Sequence, residues 1–599
     1  MNFLINYPKT SLKLPVIMLC TTFASSIMAE DIDTSITIIS PTQDQFVEQG
    51  TITVVGSYLN ATSVTVSVDN TNTVTANLIG QNWNSIIETS ALTIGEHTIT
   101  ANATGNNSDA SSSVTINVIE PADKKTTDIT YYSSIDAEPI EAVLYVPESI
   151  SSSETTEDKI PLVVHLHGGG GFGELDDTLV SELENRNWIG ISPDGRHWGL
   201  AKQGCFPGAP SWAYVDSNDP NVGPGEQDIL DAIIWAQENY NIDADRIYLT
   251  GFSMGGRGTY SIGLKNPDKF AAIAPMSGPM DMFDGYATRP EPAACKEGIT
   301  GGIPGDSPLV DTMYRITSGR FLIENAYNLP IFIGHGLADP IALNIQDTPN
   351  ALLQGWHITV DNTWADCSGA PSLGLCFGHT PTLTELAEEY PNAYQWGYHF
   401  AANVAHAQDA SLLIGNSIDS GSVGTIDPNN PQHILGVMDF FAQHEREASP
   451  KSVFFKTYTD THKKNHWIEL TSSTPWTDTP AAIEAEKTTI LNAINVNASR
   501  AANIGIDLDA AKLQAHLPIT INLNKLENDV LDPALRMNEE EILNPSLTLT
   551  SSNISFNDDV TVMVQGKFLA EDQITISEEE IHINNIEVHS NTMIGIRIK

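Results

Sequence analysis

Between residues 160 and 250 the chain alternates short apolar runs with a stretch of helical periodicity. Pro161-Leu-Val-Val-His-Leu-His167 is nearly continuous in apolar residues, the composition of a strand covered on both faces. Trp188-Ile-Gly-Ile-Ser192 and Arg246-Ile-Tyr-Leu-Thr250 repeat the pattern, and Asp228 to Tyr240 places its apolar residues at helical spacing between them. Strands of this kind cannot leave a face in water, so they require a mostly parallel sheet with helices on both sides. The expected extent of this α/β domain is 126–475.

The flanks read differently. Residues 31–119 contain no Lys and no Arg. Ile52-Thr53-Val54-Val55, Val64-Thr65-Val66-Ser67-Val68, His97-Thr98-Ile99-Thr100-Ala101 and Val114-Thr115-Ile116-Asn117-Val118 alternate apolar and polar residues between Gly and Asn clusters. That is the signature of short half-buried strands, and about seven of them over 30–120 predict an all-β sandwich. Ile39-Ser40-Pro41-Thr42 and Val55-Gly56 resemble bacterial Ig-like modules, which implies a spacer, or a contact with a glycan or polymer surface. Pro121 and Lys124-Lys125 mark a linker. At the other end, 476–599 is expected to hold one helix near Ala482–Ala501 and then a small β-rich region, where Ile519-Thr-Ile-Asn-Leu523 and Val560-Thr-Val-Met-Val564 alternate cleanly.

A chain of 599 residues accommodates about three or four domains. Its 29 Lys+Arg against 75 Asp+Glu give a formal net charge of −46, which argues against nucleic acid as a partner, since that needs basic patches. Lys9 and Lys13 precede the apolar run Leu14 to Leu19 and a small-residue stretch ending at Ala29. This pattern predicts a signal peptide over 1–29 and an exported mature protein, and no apolar run is long enough to span a membrane. Export makes a pair of disulfides the expectation for Cys205, Cys295, Cys367 and Cys376, with Cys367–Cys376 closing a local loop and Cys205–Cys295 tying two longer ones. Neither a CxxC pair nor a metal-ligand spacing is present, so neither metal nor cofactor is expected.

Gly251-Phe252-Ser253-Met254-Gly255 follows an expected strand and opens an expected helix. That is the context in which a G-x-S-x-G turn lifts a serine hydroxyl clear of a sheet. Ser253 is therefore the candidate nucleophile, with the Met254 N–H at the helix start as one oxyanion donor. His167-Gly168-Gly169-Gly170-Gly171 ends an earlier strand, and its bare backbone offers Gly168 or Gly169 as the second donor. The strand Leu329 to Gly336 runs into Asp339, placed to orient an imidazole; Asp347 and Asp366 are weaker substitutes. The strand Lys451 to Tyr458 runs into His462 and His466, of which His462, nearer the strand end, is preferred as the base. On this reading His357, His379, His399, His406 and His433 are surface or pocket residues. Trp198, Trp212 and Tyr214 are candidate walls of a substrate pocket. The order Ser, Asp, His is that of the α/β-hydrolases.

Asn241 to Tyr260 around the elbow, Asn266 to Gly278 after it, and His335-Gly336 before Asp339 resemble secreted polyhydroxybutyrate-depolymerase-like and feruloyl-esterase-like hydrolases. Prolyl-oligopeptidase-like esterases share the elbow region. The resemblance spans roughly 140–345 and 431–470 and implies a secreted esterase with a Ser-His-Asp mechanism and no cofactor. One departure is that 123 residues (462 − 339) separate Asp339 from His462. Residues about 348–430, with Trp356, Trp364 and Trp396, therefore read as an insertion or lid, and the helix that follows the acid as His433 to Glu445. The expected activity is hydrolysis of a carboxylic ester, polymeric or plant- or algal-derived. A peptidase of the same fold, or a polymer-binding protein on an inactive scaffold, are the alternatives.

Overall fold

The computed structural model describes residues 33–598, apart from 120–125, 152–157, 196–223, 281–304, 340–381, most of 527–542 and a few shorter stretches. The chain divides into two compact units, Met1–Ala122 and Asp123–Lys599.

In the first unit, Ser35–Ser40, Thr51–Leu59, Asn82–Glu88 and Asn77–Ile79 form one sheet. Gln45–Glu48, Asp109–Ile119, Gly95–Gly105, Ala61–Val68 and Thr71–Thr75 form the other. Val54 and Trp83 from the first sheet share one core with Val64, Val66, Ile99 and Ile116 from the second. Alternation along each strand sends these residues inward and the Thr, Ser and Asn residues between them toward water.

The second unit is built on a nine-stranded sheet. Numbered within that sheet, its strands are β1 Thr126–Tyr132, β2 Pro139–Tyr145, β3 Ile160–Leu166, β4 Ile189–Pro193, β5 Ile242–Phe252, β6 Ala272–Met276, β7 Ile331–Gly336, β8 Trp396–Ala401 and β9 Val423–Gly424. The spatial order is β1-β2-β4-β3-β5-β6-β7-β8-β9. β2 runs antiparallel to both its neighbours, and the strands from β4 to β8 are mutually parallel. This is the α/β-hydrolase arrangement.

All seven residues of β3 are buried. Leu162, Val164, Leu166, Leu249 and Ile333 point to one face, where they meet Ile229, Ala232 and Ala236 of α2 (Pro224–Asn239) and Tyr260 and Leu264 of α3 (Met254–Lys265). Val163, Tyr248, Ala274 and Phe332 point to the other, against Leu179 and Leu183 of α1 (Asp177–Arg186) and Val437 and Phe441 of the helix Val437–Ala442. On that face Tyr248 stacks between Trp188 and Phe441, at centroid distances of 5.1 and 4.7 Å. Burying each such side chain stabilises the fold by about 1.5–3 kcal/mol.

Three expectations are corrected here. Residues 396–401, assigned above to an insertion over 348–430, are β8, paired in parallel with β7 along its whole length. The part of the supposed lid that includes Trp396 is thus sheet core, while Trp356 and Trp364 lie outside the described residues. The boundary near 475 also moves. Ser452–Thr457, expected as a strand of the hydrolase sheet, pairs antiparallel with Ala481–Thr488 in a separate seven-stranded sheet. That sheet packs on a six-stranded one over a shared core that includes Trp467, Ile483, Val496, Ile521, Leu549 and Ile596. The expected helix at 482–501 is a pair of antiparallel strands, Ala481–Thr488 and Ala493–Ser499.

The C-terminal sandwich docks firmly on the hydrolase sheet's helical layer. Asn325 brackets the backbone of Lys456, accepting from its N–H at 2.7 Å and donating to its carbonyl at 2.9 Å. The Lys456 ammonium lies 2.9 Å from the Glu324 carboxylate, both buried, and Thr312 donates to the Thr477 carbonyl.

Candidate active site

The turn between β5 and α3 carries Ser253 with φ +56° and ψ −109°. A non-glycine residue held there stores about 1–3 kcal/mol, and the surroundings enforce it. Its N–H donates to the Met276 carbonyl at 2.8 Å, and its carbonyl accepts from Arg257 N–H at 3.1 Å. The flanking glycines permit the close approach: a β-carbon at Gly255 would sit 1.9 Å from the Leu166 carbonyl oxygen, and one at Gly251 would sit 2.6 Å from that of Gly255. The Met254 N–H starts the helix and has no intrahelical acceptor.

Beyond β3 the glycine loop turns toward the same spot, since a β-carbon at Gly169 would be 4.0 Å from that of Met254. The ring nitrogens of His167 lie 2.8 Å from the Gly168 carbonyl oxygen and 3.0 Å from that of Asp194. Gly168 itself abuts the Phe252 ring, 3.1 Å from a built β-carbon.

Asp339 lies just past β7 and is fully buried. Its Oδ2 is 2.7 Å from Nδ1 of His406, whose Nε2 is 2.8 Å from Ser253 Oγ. A hydroxyl, an imidazole and a carboxylate are thus joined in one line. Burial alone would raise the carboxyl pKa of Asp339, but hydrogen bonds from His335 and His406 and the charge of those rings hold it well below the usual carboxylate range. The Phe252 ring packs against the His406 imidazole at 4.9 Å between centroids.

His406 reaches this place on the loop after β8. The Ala338 N–H donates to the Val404 carbonyl and the Leu337 N–H to that of Ala401, each at 2.9 Å. Two residues on, Gln408 Oε1 accepts from His165 Nε2 at 2.9 Å, and its Nε2 donates to Asp176, the N-cap of α1. Asp409 then caps the helix Ala410–Ile414. Ser253, Asp339 and His406 all sit past the carboxyl ends of parallel strands, where open α/β sheets bind their ligands.

The structure separates both predicted bases from the serine. His462 Nε2 lies 2.9 Å from Oε1 of Glu226, which also pairs with Lys265 and accepts from Asn266 Nδ2 at 2.6 Å. Lys265 ends the helix that Ser253 begins, and twelve residues of helix span about 18 Å. His462 belongs to the C-terminal sandwich and clamps the far end of α3. His466 is buried inside that sandwich with Nδ1 2.6 Å from Asn465 Oδ1, and burial pushes it down to about 4. The histidine that sequence reasoning passed over is His406. Its signal was the run Trp396 to Ala401, a strand whose C-terminal loop holds a histidine after the acid in chain order. Trp198, Trp212, Tyr214, Cys205, Cys295, Cys367, Cys376, Asp347 and Asp366 lie outside the described residues. Among the described residues no group of three or more His, Cys, Asp or Glu side chains is placed to hold a metal.

The prolyl oligopeptidase family profile matches residues 212–344, which contain the elbow and Asp339. The bifunctional acetylxylan esterase/xylanase XynS20E of Neocallimastix patriciarum is 29% identical over 149 residues, covering 25% of this chain and 19% of that protein. Carboxylesterase 20 of Arabidopsis thaliana is 28% identical over 143 residues, covering 22% of this chain and 39% of that one. The chain therefore spans well under half the length of these curated relatives. Among solved structures, the S-formylglutathione hydrolase of Staphylococcus aureus aligns with a TM-score of 0.31 and 16% identity, over 48% of this chain and 92% of that one.

Proposed function

We propose that this chain is an exported serine hydrolase of carboxylic esters, with Ser253 as nucleophile, His406 as base and Asp339 as the residue that orients it. The observation that carries the reading is the line from Ser253 Oγ to His406 Nε2 at 2.8 Å and from His406 Nδ1 to Asp339 Oδ2 at 2.7 Å. His406 takes the hydroxyl proton as Oγ attacks the ester carbonyl, and Asp339 stabilises the imidazolium that forms. The Met254 N–H, with that of Gly168 or Gly169, receives the oxyanion. The imidazolium returns its proton to the departing alcohol, leaving an acyl-enzyme. Water, deprotonated by His406, then releases the acid.

The substrate class we favour is an ester on a plant- or algal-derived polymer. The support is the acetylxylan esterase named among the curated relatives, together with the basic and apolar N-terminal pattern expected of an exported chain. The N-terminal β-sandwich, read as an Ig-like module, serves as a spacer or as a contact with that polymer. A peptidase reading draws on the name of the matching family profile.

The test is hydrolysis of p-nitrophenyl acetate, acetylated xylan, feruloylated arabinoxylan, polyhydroxybutyrate and a peptide anilide by the full chain and by Ser253→Ala. Ester turnover lost by about a thousandfold or more in the variant supports the reading. Faster cleavage of the anilide than of any ester favours the peptidase. Equal rates with and without Ser253 overturn both.

A further inference from the structure

Asp339 Oδ2 receives two imidazoles. Besides His406 Nδ1 at 2.7 Å, His335 Nε2 lies 2.9 Å away, four residues back in the chain. His335 and Asp339 are both fully buried. His335 is the penultimate residue of β7, and the turn after it folds the acid back, with Asp339 N–H donating to the Gly336 carbonyl at 3.2 Å. The Phe400 ring stands perpendicular to the His335 imidazole, 6.5 Å between centroids, and limits how the ring can rotate.

An ionised carboxylate oxygen only accepts hydrogen bonds, so a nitrogen that approaches it this closely brings a proton. Asp339 therefore selects the Nε2–H form of His335 and the Nδ1–H form of His406. The second choice leaves His406 Nε2 free to accept from Ser253.

We propose that His335 is a positioning residue for the acid: its Nε2–H fixes Asp339 Oδ2 under His406 and draws off part of the carboxylate's charge, which tunes how readily His406 holds a proton. The inference rests on the hydrolase reading above. Two effects follow from losing that donor. The carboxylate is held by one fewer anchor, so the imidazole is aimed less well. Its charge is also less shared, so it stabilises the His406 imidazolium more strongly, and more alkaline conditions are needed before His406 can act as a base.

The experiment is the rate of Ser253 labelling by a fluorophosphonate as a function of pH, on the full chain. The variants are His335→Gln, His335→Asn and His335→Leu. Glutamine extends an amide N–H about as far as imidazole Nε2, whereas asparagine is polar but about one bond shorter, and leucine has no donor. The expected result is a Gln variant that keeps most of the wild-type rate and midpoint. The Asn and Leu variants should label about tenfold or more slowly at the plateau, with midpoints displaced about 0.5–1 unit toward alkaline pH. Asparagine keeps the comparison open should leucine prevent folding. Superimposable profiles for all four proteins, or a Gln variant as impaired as Asn and Leu, overturn the proposal. A wild-type chain that is not labelled, or labels equally after Ser253→Ala, removes the hydrolase reading and this inference with it.

Discussion

Gly336 and Val404 touch backbone to backbone: a β-carbon at Gly336 would lie 2.3 Å from the Val404 carbonyl oxygen. Through this contact the loop that holds Asp339 rests on the loop that holds His406. Gly336→Ala should therefore push the two loops apart. A displacement of about 1 Å costs on the order of a hundredfold in rate, so kcat/KM on a chromogenic ester should fall by at least that much. A variant within fivefold of wild type would mean that the loops are positioned some other way.

His406 and His462 should separate cleanly. His406→Ala removes the base and should lower kcat by about 10³-fold or more, with Ser253 still in place. His462→Ala should leave kcat within about twofold, because its partner Glu226 lies at the opposite end of α3 from the serine. It should instead lower the unfolding midpoint, since Glu226, held ionised at well below its ordinary pKa despite burial, loses one of its partners. Steady-state kinetics and thermal unfolding on the same preparations decide this.

His399, fully buried on β8, has its pKa pushed down to about 4 by burial, reinforced by His433 and opposed by Asp409. In the unfolded chain it titrates near 6.5. The unfolded state therefore binds the extra proton between these values, and stability is lost as pH falls through 6.5 toward 4. At pH 5 the cost is about 2 kcal/mol, and at pH 7.5 it is close to nil. Replacing His399 by Leu should shrink the difference in unfolding free energy between pH 7.5 and pH 5 by about that amount. An unchanged difference would show that this imidazole does not drive the acid sensitivity.

Glycines should differ by what surrounds them. Gly255→Ala places a methyl 1.9 Å from the Leu166 carbonyl oxygen, which only a backbone shift relieves, so it should destabilise by about 3 kcal/mol or more. Gly595→Ala in the C-terminal sandwich meets nothing within 4 Å and should fall within about 0.5 kcal/mol of wild type. Chemical denaturation of both variants measures the contrast.

The legible parts of the sequence were those fixed by local pattern. The apolar strands β3, β4 and β5 and the elbow at Ser253 carry their own short-range signals, and Asp339 follows directly from β7. What failed depended on distant partners. Ala481 to Lys487 is rich in Ala, Glu and Lys, which favour a helix. It is a strand because Ser452–Thr457 and Ala493–Ser499 pair with its two edges. The strand Ser452–Thr457 has the apolar run expected of a parallel sheet, yet its Val453 and Phe455 are buried in the core of the C-terminal sandwich. His406 depends on a distant partner too: only the pairing of β8 with β7 makes the loop beyond β8 a neighbour of Asp339, and without it this histidine reads as a surface or pocket residue.

The clamp on α3 also sets an order for the molecule's assembly. Glu226 leaves the ribosome 236 residues ahead of His462, which pairs with it. Until that later segment has emerged, the helix carrying Ser253 has a charged distal end not yet sealed by the sandwich. The serine and its helix are synthesised before the segment that steadies the helix's far end. The contribution of that clamp is therefore to the durability of the α3 scaffold, and it is added only after the serine and its helix already exist.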